Sequence, residues 1–312
     1  MEYFTLPARS ILNRCTAPRM PFRWTINPYR GCEFGCQYCY ARYTHEFMEL
    51  RDPREFEQKI YVKQNAAPGH ALWEQFADPA LGLLLRRDLR RVKRGESIAL
   101  GTATDPYQPA ERRYGATRAI LEEFAQHSGL DLGIVTKSSL VLRDVDLLRR
   151  IADRNRLFVN LTITTLDTQL ARILEPRAPR PDLRLEAVRR LSEAGVPAGV
   201  ICAPVVPGIT DGPRDLDALV QATREAGGQY IFANALFLKP CSAAIFLPWL
   251  EKEFPHLVEN YQRRFASKAF LPDAYRKRLS ALMAALRRKH GFEAQQHPQR
   301  EVPMPQEQLA LF

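Results

Sequence analysis

The stretch Gly31-Cys32-Glu33-Phe34-Gly35-Cys36-Gln37-Tyr38-Cys39-Tyr40 contains three of the chain's six cysteines, in the spacing C-x3-C-x2-C. It directly follows a predicted strand at Trp24–Asn27, so it forms a loop at the C-terminal end of a strand, the edge at which α/β proteins bind ligands. Three thiolates in one loop suit three corners of a [4Fe-4S] cluster and leave the fourth iron without a protein ligand. We expect Cys32, Cys36 and Cys39 to hold such a cluster.

Other residues of the same stretch fit this interpretation. Gly31 and Gly35 allow the backbone to wrap closely around a bound group, because glycine has no Cβ. Tyr38 and Tyr40 flank Cys39 and are placed to cover the cluster from solvent.

A structural zinc site is the alternative, with Cys15 or His45 as its fourth ligand. Zinc sites more often use C-x2-C pairs, which disfavours this alternative. In either case, a tight group of cysteines indicates metal ligation in a reducing compartment rather than a disulfide framework. We therefore expect a cytoplasmic protein.

Short runs rich in Val, Ile, Leu, Phe and Thr alternate with amphipathic stretches along most of the chain. Such alternation indicates parallel βαβ units with right-handed crossovers. The pattern alone leaves open whether six units form an incomplete barrel or an open doubly wound sheet. The predicted strands are Trp24–Asn27, Ser97–Ala103, Leu132–Thr136, Leu157–Thr164, Ala198–Val205 and Tyr230–Leu238. The predicted helices are Thr117–His127, Asp144–Asp153, Pro181–Ala194 and Pro213–Ala226, followed by Leu247–Ala269 and Ala274–His290.

The charge balance favours a polyanionic partner. The 312 residues include 45 basic and 35 acidic residues, a formal net charge of +10, which suits nucleic acid. The hydrophobic fraction of 46% excludes a wholly disordered chain. No apolar run reaches the roughly 18 residues of a membrane span, so we expect a soluble protein with no membrane partner.

The cysteine spacing, the aromatic residue that follows it and the six βα units together resemble the radical S-adenosylmethionine (SAM) superfamily. The resemblance runs from about Asn27 to about Pro240 and implies an α/β fold, a partial (βα)6 TIM-type barrel over residues 24–246. An N-terminal extension (1–23) would precede the barrel, and C-terminal helices (247–292) and a flexible, extended tail (293–312) would follow it. Enzymes of this superfamily bind a [4Fe-4S] cluster and SAM. They cleave SAM reductively to a 5′-deoxyadenosyl radical, which abstracts hydrogen from substrate, and take the electron from a flavodoxin- or ferredoxin-type donor.

Further stretches resemble the spore photoproduct lyase-like branch, whose members are known as DNA repair photolyases. These stretches are Gly101–Glu111, Thr136–Ser138, Thr162–Asp167 and Leu174–Pro179. The resemblance implies DNA as substrate and a repair-type lyase activity. Two other functions stay open: a radical SAM enzyme acting on RNA, a peptide or a small metabolite, and a non-catalytic, zinc-bearing nucleic-acid-binding protein.

The resemblance also implies that strand ends bind SAM. At the second strand, the Asp105 carboxylate would receive the ammonium group of SAM, and Lys137 at the third would pair with its carboxylate. Threonines at the end of the fourth strand would reach ribose hydroxyls, and a valine after the fifth would form an apolar wall for adenine. The alternative is that strand-end Thr and Asp residues cap the helices that follow. The implied set is Thr104, Asp105, Lys137, Ser138, Thr162, Thr164 and Val206.

One departure concerns the hydrogen donor. Spore photoproduct lyase has a donor cysteine on its second strand, whereas the corresponding residues here, Thr102–Asp105, include none. Its specific thymine-dimer reversal therefore does not carry over. Cys241, just after the sixth strand, is the candidate for relaying hydrogen, with Tyr38 and Tyr40 as further catalytic candidates. Cys202 lies within a strand and is expected to be a small buried hydrophobic residue.

The stretch Gln308-Leu309-Ala310-Leu311-Phe312 resembles the pentapeptide with which proteins bind the bacterial DNA polymerase sliding clamp. Gln308 can hydrogen-bond at the rim of a pocket, while Leu309, Leu311 and Phe312 offer apolar groups to a cleft. Its proline-rich lead-in favours this interpretation over docking on the protein itself.

If the tail binds the clamp, replacing Leu311 and Phe312 by Ala should remove most of the binding, because these two side chains would be its anchors. Calorimetric titration of purified clamp with intact protein, the double variant and a tail-deleted protein measures this. Equal heats for all three would assign the tail to self-docking.

Overall fold

The computed structural model describes residues 1–17, 20–65, 79–266 and 268–292. The strands are β1 (Glu2–Ala8), β2 (Leu12–Arg14), β3 (Trp24–Ile26), β4 (Tyr29–Arg30), β5 (Lys59–Asn65), β6 (Ser97–Leu100), β7 (Asp131–Thr136), β8 (Arg156–Thr162), β9 (Ala198–Val205) and β10 (Ile231–Ala235). The α-helices are α1 (Glu55–Gln58), α2 (Pro79–Leu89), α3 (Ala110–Tyr114), α4 (Ala116–Phe124), α5 (Val145–Ala152), α6 (Thr168–Leu174), α7 (Pro181–Glu193), α8 (Pro213–Glu225), α9 (Pro240–Glu253), α10 (Val258–Phe265) and α11 (Asp273–Lys289). Short 3-10 helices lie at Tyr40–Met48, Ser139–Asp144 and Pro255–Leu257.

The main sheet of the described residues has seven strands in the order β10-β9-β8-β7-β6-β3-β2. Six of its strands are mutually parallel, namely β3, β6, β7, β8, β9 and β10. These are the six strands predicted from the sequence. Helices α4, α5, α7 and α8 form in the crossovers where helical periodicity predicted them. The expected partial (βα)6 TIM-type barrel is confirmed.

Contacts between the two ends of this sheet show that it curves. Tyr40 lies in the segment that follows β3, near one edge of the sheet, and Phe237 follows β10 at the other edge. Their ring centroids are nevertheless only 5.2 Å apart. The Ser242 hydroxyl of α9 also donates a hydrogen bond to the Cys39 carbonyl at 3.1 Å. In a flat sheet, β3 and β10 would lie roughly 24 Å apart. The C-terminal ends of the strands therefore surround a common mouth.

The N-terminal residues contribute a strand to each of the two sheets of the described chain. Strand β1 pairs in parallel with β5, which pairs antiparallel with β4 to complete a three-stranded sheet. Strand β2 pairs antiparallel with β3 at the edge of the main sheet. These pairings join segments that are distant in sequence, so local periodicity gives no sign of them.

The C-terminal helices differ from prediction at one point. The single helix expected over Leu247–Ala269 is wrong: α9 begins at Pro240 and ends at Glu253, and α10 begins at Val258. Pro255 explains the break, because proline has no N–H and disfavours helical geometry in the preceding residue. Phe254 accordingly has φ −141° and ψ 59°. Helix α11 matches its prediction closely, and the tail with Gln308–Phe312 lies outside the described residues.

Within the described ranges, no helix combines the length and the apolar character needed to cross a bilayer.

The glycine that opens the stretch Gly31–Tyr40, called the cysteine loop below, permits a close approach of backbones. Gly31 has φ +79°, and a Cβ there would lie 2.5 Å from the Lys59 carbonyl oxygen and 2.8 Å from that of Phe56. Gly129 has a similar φ of +76°, but no described atom lies within 4 Å of the position that a Cβ would take there.

Gly31→Ala should therefore destabilise the protein more than Gly129→Ala. Both variants strain a left-handed residue by roughly 1–2 kcal/mol, but only Gly31→Ala adds a clash, worth about 1–3 kcal/mol. Urea unfolding measures the difference. Equal losses would show that the loop backbone shifts freely to accept a side chain.

Candidate active site

The cysteine loop lies at the mouth of the barrel, and distant segments hold its backbone. Thr104 Oγ1 and Gln108 Nε2, which follow β6, donate to the Gly31 carbonyl at 2.6 and 3.1 Å. The Cys32 N–H donates to the Phe56 carbonyl at 2.9 Å. A loop without regular structure has its buried polar groups satisfied in this way, so the positions of the cysteines are fixed by the fold.

A buried arginine secures the middle of the loop. Arg42 is 1% exposed, and its Nη2 donates to the Cys36 carbonyl at 3.0 Å. Its Nη1 forms an ion pair with Glu57 and donates to the Pro53 carbonyl at 2.7 Å. The charge of Arg42 is thus compensated while the guanidinium orients the cysteine loop.

The three thiols form a donor set that fits an iron–sulfur cluster. Cys32, Cys36 and Cys39 are all free thiols. Burial raises the pKa of each thiol, that of Cys36 to about 12. Neighbouring thiols of the same loop contribute to the raised pKa values of Cys32 and Cys36. Because metals bind the thiolate, loading the site must release protons and should be favoured by higher pH.

The described residues do not favour the alternative zinc site. No group of three or more His, Cys, Asp or Glu side chains among them is arranged around a single metal ion. His45 is one of the two candidates for the fourth zinc ligand, with Cys15 as the other. Its ring packs 5.0 Å from the Phe56 ring and 5.9 Å from that of Tyr61. The thiolates of a cubane each bind a different iron, so they need not converge on one point.

Lys137 lies beside the cysteine loop, as predicted, with Nζ 5.7 Å from the centroid of the Tyr38 ring. Burial alone would lower its pKa, but Cys36 and Glu175 outweigh that effect and raise the pKa above its ordinary value. Lys137 is therefore a cation at neutral pH, as a partner of a carboxylate must be.

Asp105 also lies at this site, where its carboxylate binds the ends of two strands together. It accepts hydrogen bonds from the Thr136 hydroxyl at 2.6 Å, the Lys137 N–H at 2.7 Å and the Tyr107 N–H at 2.9 Å. Its charge contributes to the raised pKa of Cys32. The structure thus brings Asp105 and Lys137 together beside the thiols, while the predicted contact of Asp105 with an ammonium group stays a prediction.

A buried ion pair that was not predicted supports the other side of the loop. Glu175 and Arg184 form a salt bridge of 2.5 Å, with both side chains 1% exposed. The Tyr38 hydroxyl donates to Glu175, and Thr164 Oγ1 donates to the same carboxylate at 3.3 Å. Arg184 Nη1 donates to the Thr162 carbonyl at 2.9 Å. The pair therefore links the cysteine loop to the end of β8.

Like Asp105 and Thr164, three further predicted SAM-binding residues are engaged or buried within the protein itself. Val206 has no exposed surface, so it does not form an open wall for adenine in this structure. Ser138 Oγ accepts from the Leu140 N–H at 3.2 Å, as a helix cap does. The Thr104 hydroxyl holds the Gly31 carbonyl. For Thr104 and Ser138, the structure shows the supporting contacts that were the alternative interpretation, and their contact with SAM stays a prediction.

The hydrogen-donor candidates lie near the same loop. Cys241 is buried in the first turn of α9, with Sγ 4.0 Å from Ser242 Oγ. The Tyr40 hydroxyl donates to the Thr102 carbonyl. Cys202 has no exposed surface in β9, which confirms it as a core residue.

Sequence reasoning missed four residues that support the site: Arg42, Gln108, Glu175 and Arg184. Glu175 falls within Leu174–Pro179, one of the stretches quoted for the resemblance, so a signal for it existed. Gln108 likewise falls within the quoted stretch Gly101–Glu111, whereas Arg42 and Arg184 lie outside all of the quoted stretches.

Comparison with known proteins agrees with this geometry. The sequence model of the Radical SAM superfamily matches residues 26–220. A Mycobacterium tuberculosis protein is 34% identical over 309 residues, covering 97% of this chain and 86% of its own. A Methanocaldococcus jannaschii protein is 26% identical over 273 residues, covering 88% of this chain and 92% of its own. Among solved structures, a mutant spore photoproduct lyase with bound AdoMet and dinucleoside spore photoproduct has a TM-score of 0.65 at 14% identity, over 92% of this chain and 79% of that one. At this level of identity, the similarity to spore photoproduct lyase shows a shared fold.

Removing one charge of the buried ion pair should be costly. Glu175→Gln leaves Arg184 uncompensated, which typically destabilises a protein by roughly 3–5 kcal/mol. Glu123→Gln is the control: Glu123 is itself buried, but its partner Arg86 is 56% exposed, so the cation left behind stays in water and the loss of stability should be smaller. Urea unfolding of both variants gives the comparison.

The double variant Glu175→Gln/Arg184→Met should recover part of the loss, since it removes the second buried charge as well. A Glu175→Gln variant as stable as Glu123→Gln would contradict the role assigned to the pair.

Proposed function

This chain belongs to the radical SAM superfamily, and on that premise we propose that it binds a [4Fe-4S] cluster through Cys32, Cys36 and Cys39, cleaves SAM reductively and abstracts hydrogen from DNA as a repair-type lyase. The superfamily uses a [4Fe-4S] cluster and SAM as its cofactors. When bound, they supply the electron and the carbon radical for hydrogen abstraction.

The observation that carries the proposal is the set of three free thiols in one loop at the mouth of the barrel. Each flank of the loop is secured by hydrogen bonds from another element: Arg42 to the Cys36 carbonyl and Ser242 to the Cys39 carbonyl. Preorganised ligands need little further ordering when a metal group binds. The same arrangement leaves no fourth cysteine in the loop, which suits a cluster with one open iron.

The residues around the thiols would bind and orient SAM. Lys137, a half-buried cation beside the cysteine loop, suits the SAM carboxylate. Asp105 fixes the backbone of Lys137 through the 2.7 Å hydrogen bond from its N–H, so it would position that lysine whether or not it contacts SAM itself. Thr162 and Thr164, at the end of β8, remain the candidates for the ribose.

The DNA substrate is the finer part of the proposal. It is supported by the net charge of +10 and by the fold shared with a spore photoproduct lyase bound to a dinucleoside photoproduct. Helix α11 begins near the mouth and exposes Lys277 and Arg278 in its first turns. Cys241, Tyr38 and Tyr40 would be the candidate hydrogen donors.

Replacing Cys32, Cys36 or Cys39 by Ala should abolish cluster assembly, because each supplies one thiolate to a site with no spare ligand. Cys15→Ala and Cys202→Ala are the matched controls, since these cysteines lie outside the loop, and both should retain iron. Iron content after anaerobic purification and 5′-deoxyadenosine formed from SAM under dithionite measure the two steps.

Stoichiometric zinc in place of iron would instead support the non-catalytic alternative. Iron-loaded protein that cleaves SAM but modifies RNA, a peptide or a metabolite rather than DNA would keep the chemistry and change the substrate. Mass spectrometry of nucleosides after incubation with damaged DNA separates these outcomes.

DNA binding should weaken steeply with salt, because cations at the mouth would displace condensed counterions. Neutralising Arg276, Lys277 and Arg278 with Gln should lower the log–log salt slope by about 0.9 for each one that contacts a phosphate. The control changes Arg149, Arg150 and Arg154, exposed arginines that precede β8 and so lie at the opposite end of the barrel. Fluorescence anisotropy at several salt concentrations gives the slopes, and equal effects of the two triple variants would contradict a DNA surface at the mouth.

A further inference from the structure

Three aromatic rings form a continuous row at the mouth of the barrel, beginning one residue from a cluster cysteine. The rings belong to Tyr40, Phe237 and Phe270 and are called the aromatic row below. The centroids of Tyr40 and Phe237 are 5.2 Å apart, and those of Phe237 and Phe270 are 5.3 Å apart with the planes at 20°. Tyr40 and Phe270 are 37% and 39% exposed. The row thus extends from the cysteine loop towards solvent.

The backbone holds all three rings in place. The Tyr40 hydroxyl donates to the Thr102 carbonyl, which fixes the first ring. Phe237 and Phe270 form an antiparallel β-bridge, and the Leu238 N–H donates to the Ala269 carbonyl at 2.8 Å. A ligand that contacts the row would therefore meet rings that are already ordered, which lowers the entropy lost on binding.

The exposure of Tyr40 and Phe270 is unusual for large apolar side chains within the described residues. Most of their large apolar side chains are buried, and the few exposed ones stand mainly singly along the chain, which needs no explanation. The aromatic row differs because two exposed rings are joined through a third at the edge of the candidate active site. A contiguous exposed apolar feature of this kind commonly marks a binding surface.

The chemistry around the row indicates the class of ligand. Its surface is made of flat π faces rather than aliphatic side chains, and basic residues flank it: Lys268 precedes Phe270, and Lys277 and Arg278 follow, all three exposed. Flat rings that stack bases, combined with cations that contact phosphates, are the combination by which proteins bind single-stranded nucleic acid. A base inside a duplex keeps its faces stacked on its neighbours, so only an unpaired or flipped-out base can use such rings.

We propose that the aromatic row is a stacking platform for an unpaired nucleobase, which it guides to the cysteine loop. The inference rests on the proposed action on DNA and deepens it: the preferred ligand is a single-stranded or locally unpaired segment rather than intact duplex. Tyr40 is the inner end of the platform, and Phe270 is the outer end, where the strand enters.

The test uses the cluster-loaded, full-length protein and three fluorescein-labelled probes: a dT12 single strand, the same strand paired with its complement, and an abasic strand of equal length. The abasic strand keeps the phosphates and lacks the bases. Phe270→Leu keeps an apolar side chain but removes the π face, whereas Phe270→Tyr keeps the face. Phe4→Leu is the matched control, because Phe4 is 38% exposed and stacks on Tyr61 at 5.0 Å in the other sheet.

We expect the wild type to bind dT12 more tightly than the duplex or the abasic strand. Phe270→Leu should weaken dT12 binding roughly fivefold or more, the lower range for loss of one base–aromatic stack, and should leave abasic binding unchanged. Phe270→Tyr and Phe4→Leu should bind dT12 like the wild type. Preparations are compared at equal iron content, and 2-aminopurine placed within the strand should lose fluorescence on binding the wild type, a result that requires no variant.

Two results would overturn the inference in distinguishable ways. If all nucleic acids bind with the same salt-dependent affinity, and Phe270→Leu changes none of them, the row does not stack bases while the proposed action on DNA stands. If the wild type binds none of the probes at low salt, the DNA substrate itself is wrong, and the platform is wrong with it.

Discussion

The site depends on hydrogen bonds that hold the backbone of a loop without regular structure. A cluster needs three thiolates in one place. Positions 32, 36 and 39 would share one face of a helix, but this stretch forms no helix or strand before Tyr40. The loop therefore takes its order from elsewhere: the Gly31 carbonyl is held from the end of β6, the Cys36 carbonyl by Arg42, and the Cys39 carbonyl by Ser242 of α9. Arg42 lies in the 3-10 helix that continues the loop, whereas Thr104 and Ser242 come from distant segments, so the positions of the cysteines depend on the closed barrel.

Charged side chains surround the thiols inside the closed barrel, where each needs a partner of opposite charge. Placing Lys137, Glu175 and Arg184 in the interior is costly unless each has a partner. Burial alone would raise the pKa of Glu175, but Arg184 and Lys137 outweigh it and hold the pKa below its ordinary value. The carboxylate is thus ionised at neutral pH, where it compensates two cations and orients Tyr38. The stability that comes from this lowered pKa is present above the usual carboxyl range and is lost as the pH falls below it. Because one carboxylate compensates two cations, this group keeps one net positive charge. Its Lys137 lies beside the cysteine loop, where we propose that it would bind a ligand carboxylate.

The sequence predicts the parts of this arrangement that have a local pattern. Six parallel strands follow from short β-branched runs between amphipathic helices, and the thiol loop follows from the spacing of Cys32, Cys36 and Cys39. The pairing of β1 with β5 joins residues more than fifty positions apart and leaves no periodic trace. Thr104 lies four residues beyond the end of β6 and Ser138 two beyond the end of β7. Residue type does not distinguish a hydroxyl that binds a ligand from one that holds a carbonyl or caps a helix. The break between α9 and α10 was visible at Pro255 and was missed because the helical periodicity continues across it.

The contact between Tyr40 and Phe237, which joins the two ends of the curved sheet, also connects the cysteine loop to the aromatic row. Tyr40 belongs both to the cysteine loop and to the aromatic row, because the residue after the third cysteine reaches across the mouth to Phe237. A group stacked on Tyr40 would therefore lie next to the cysteine loop. The Thr102 carbonyl accepts the hydrogen bond from the Tyr40 hydroxyl. This bond holds the Tyr40 ring in place. The thiol of Cys241 also lies near the cysteine loop, because the neighbouring Ser242 donates a hydrogen bond to the Cys39 carbonyl. The barrel mouth thus brings the three thiols, the aromatic row and Cys241 to one place.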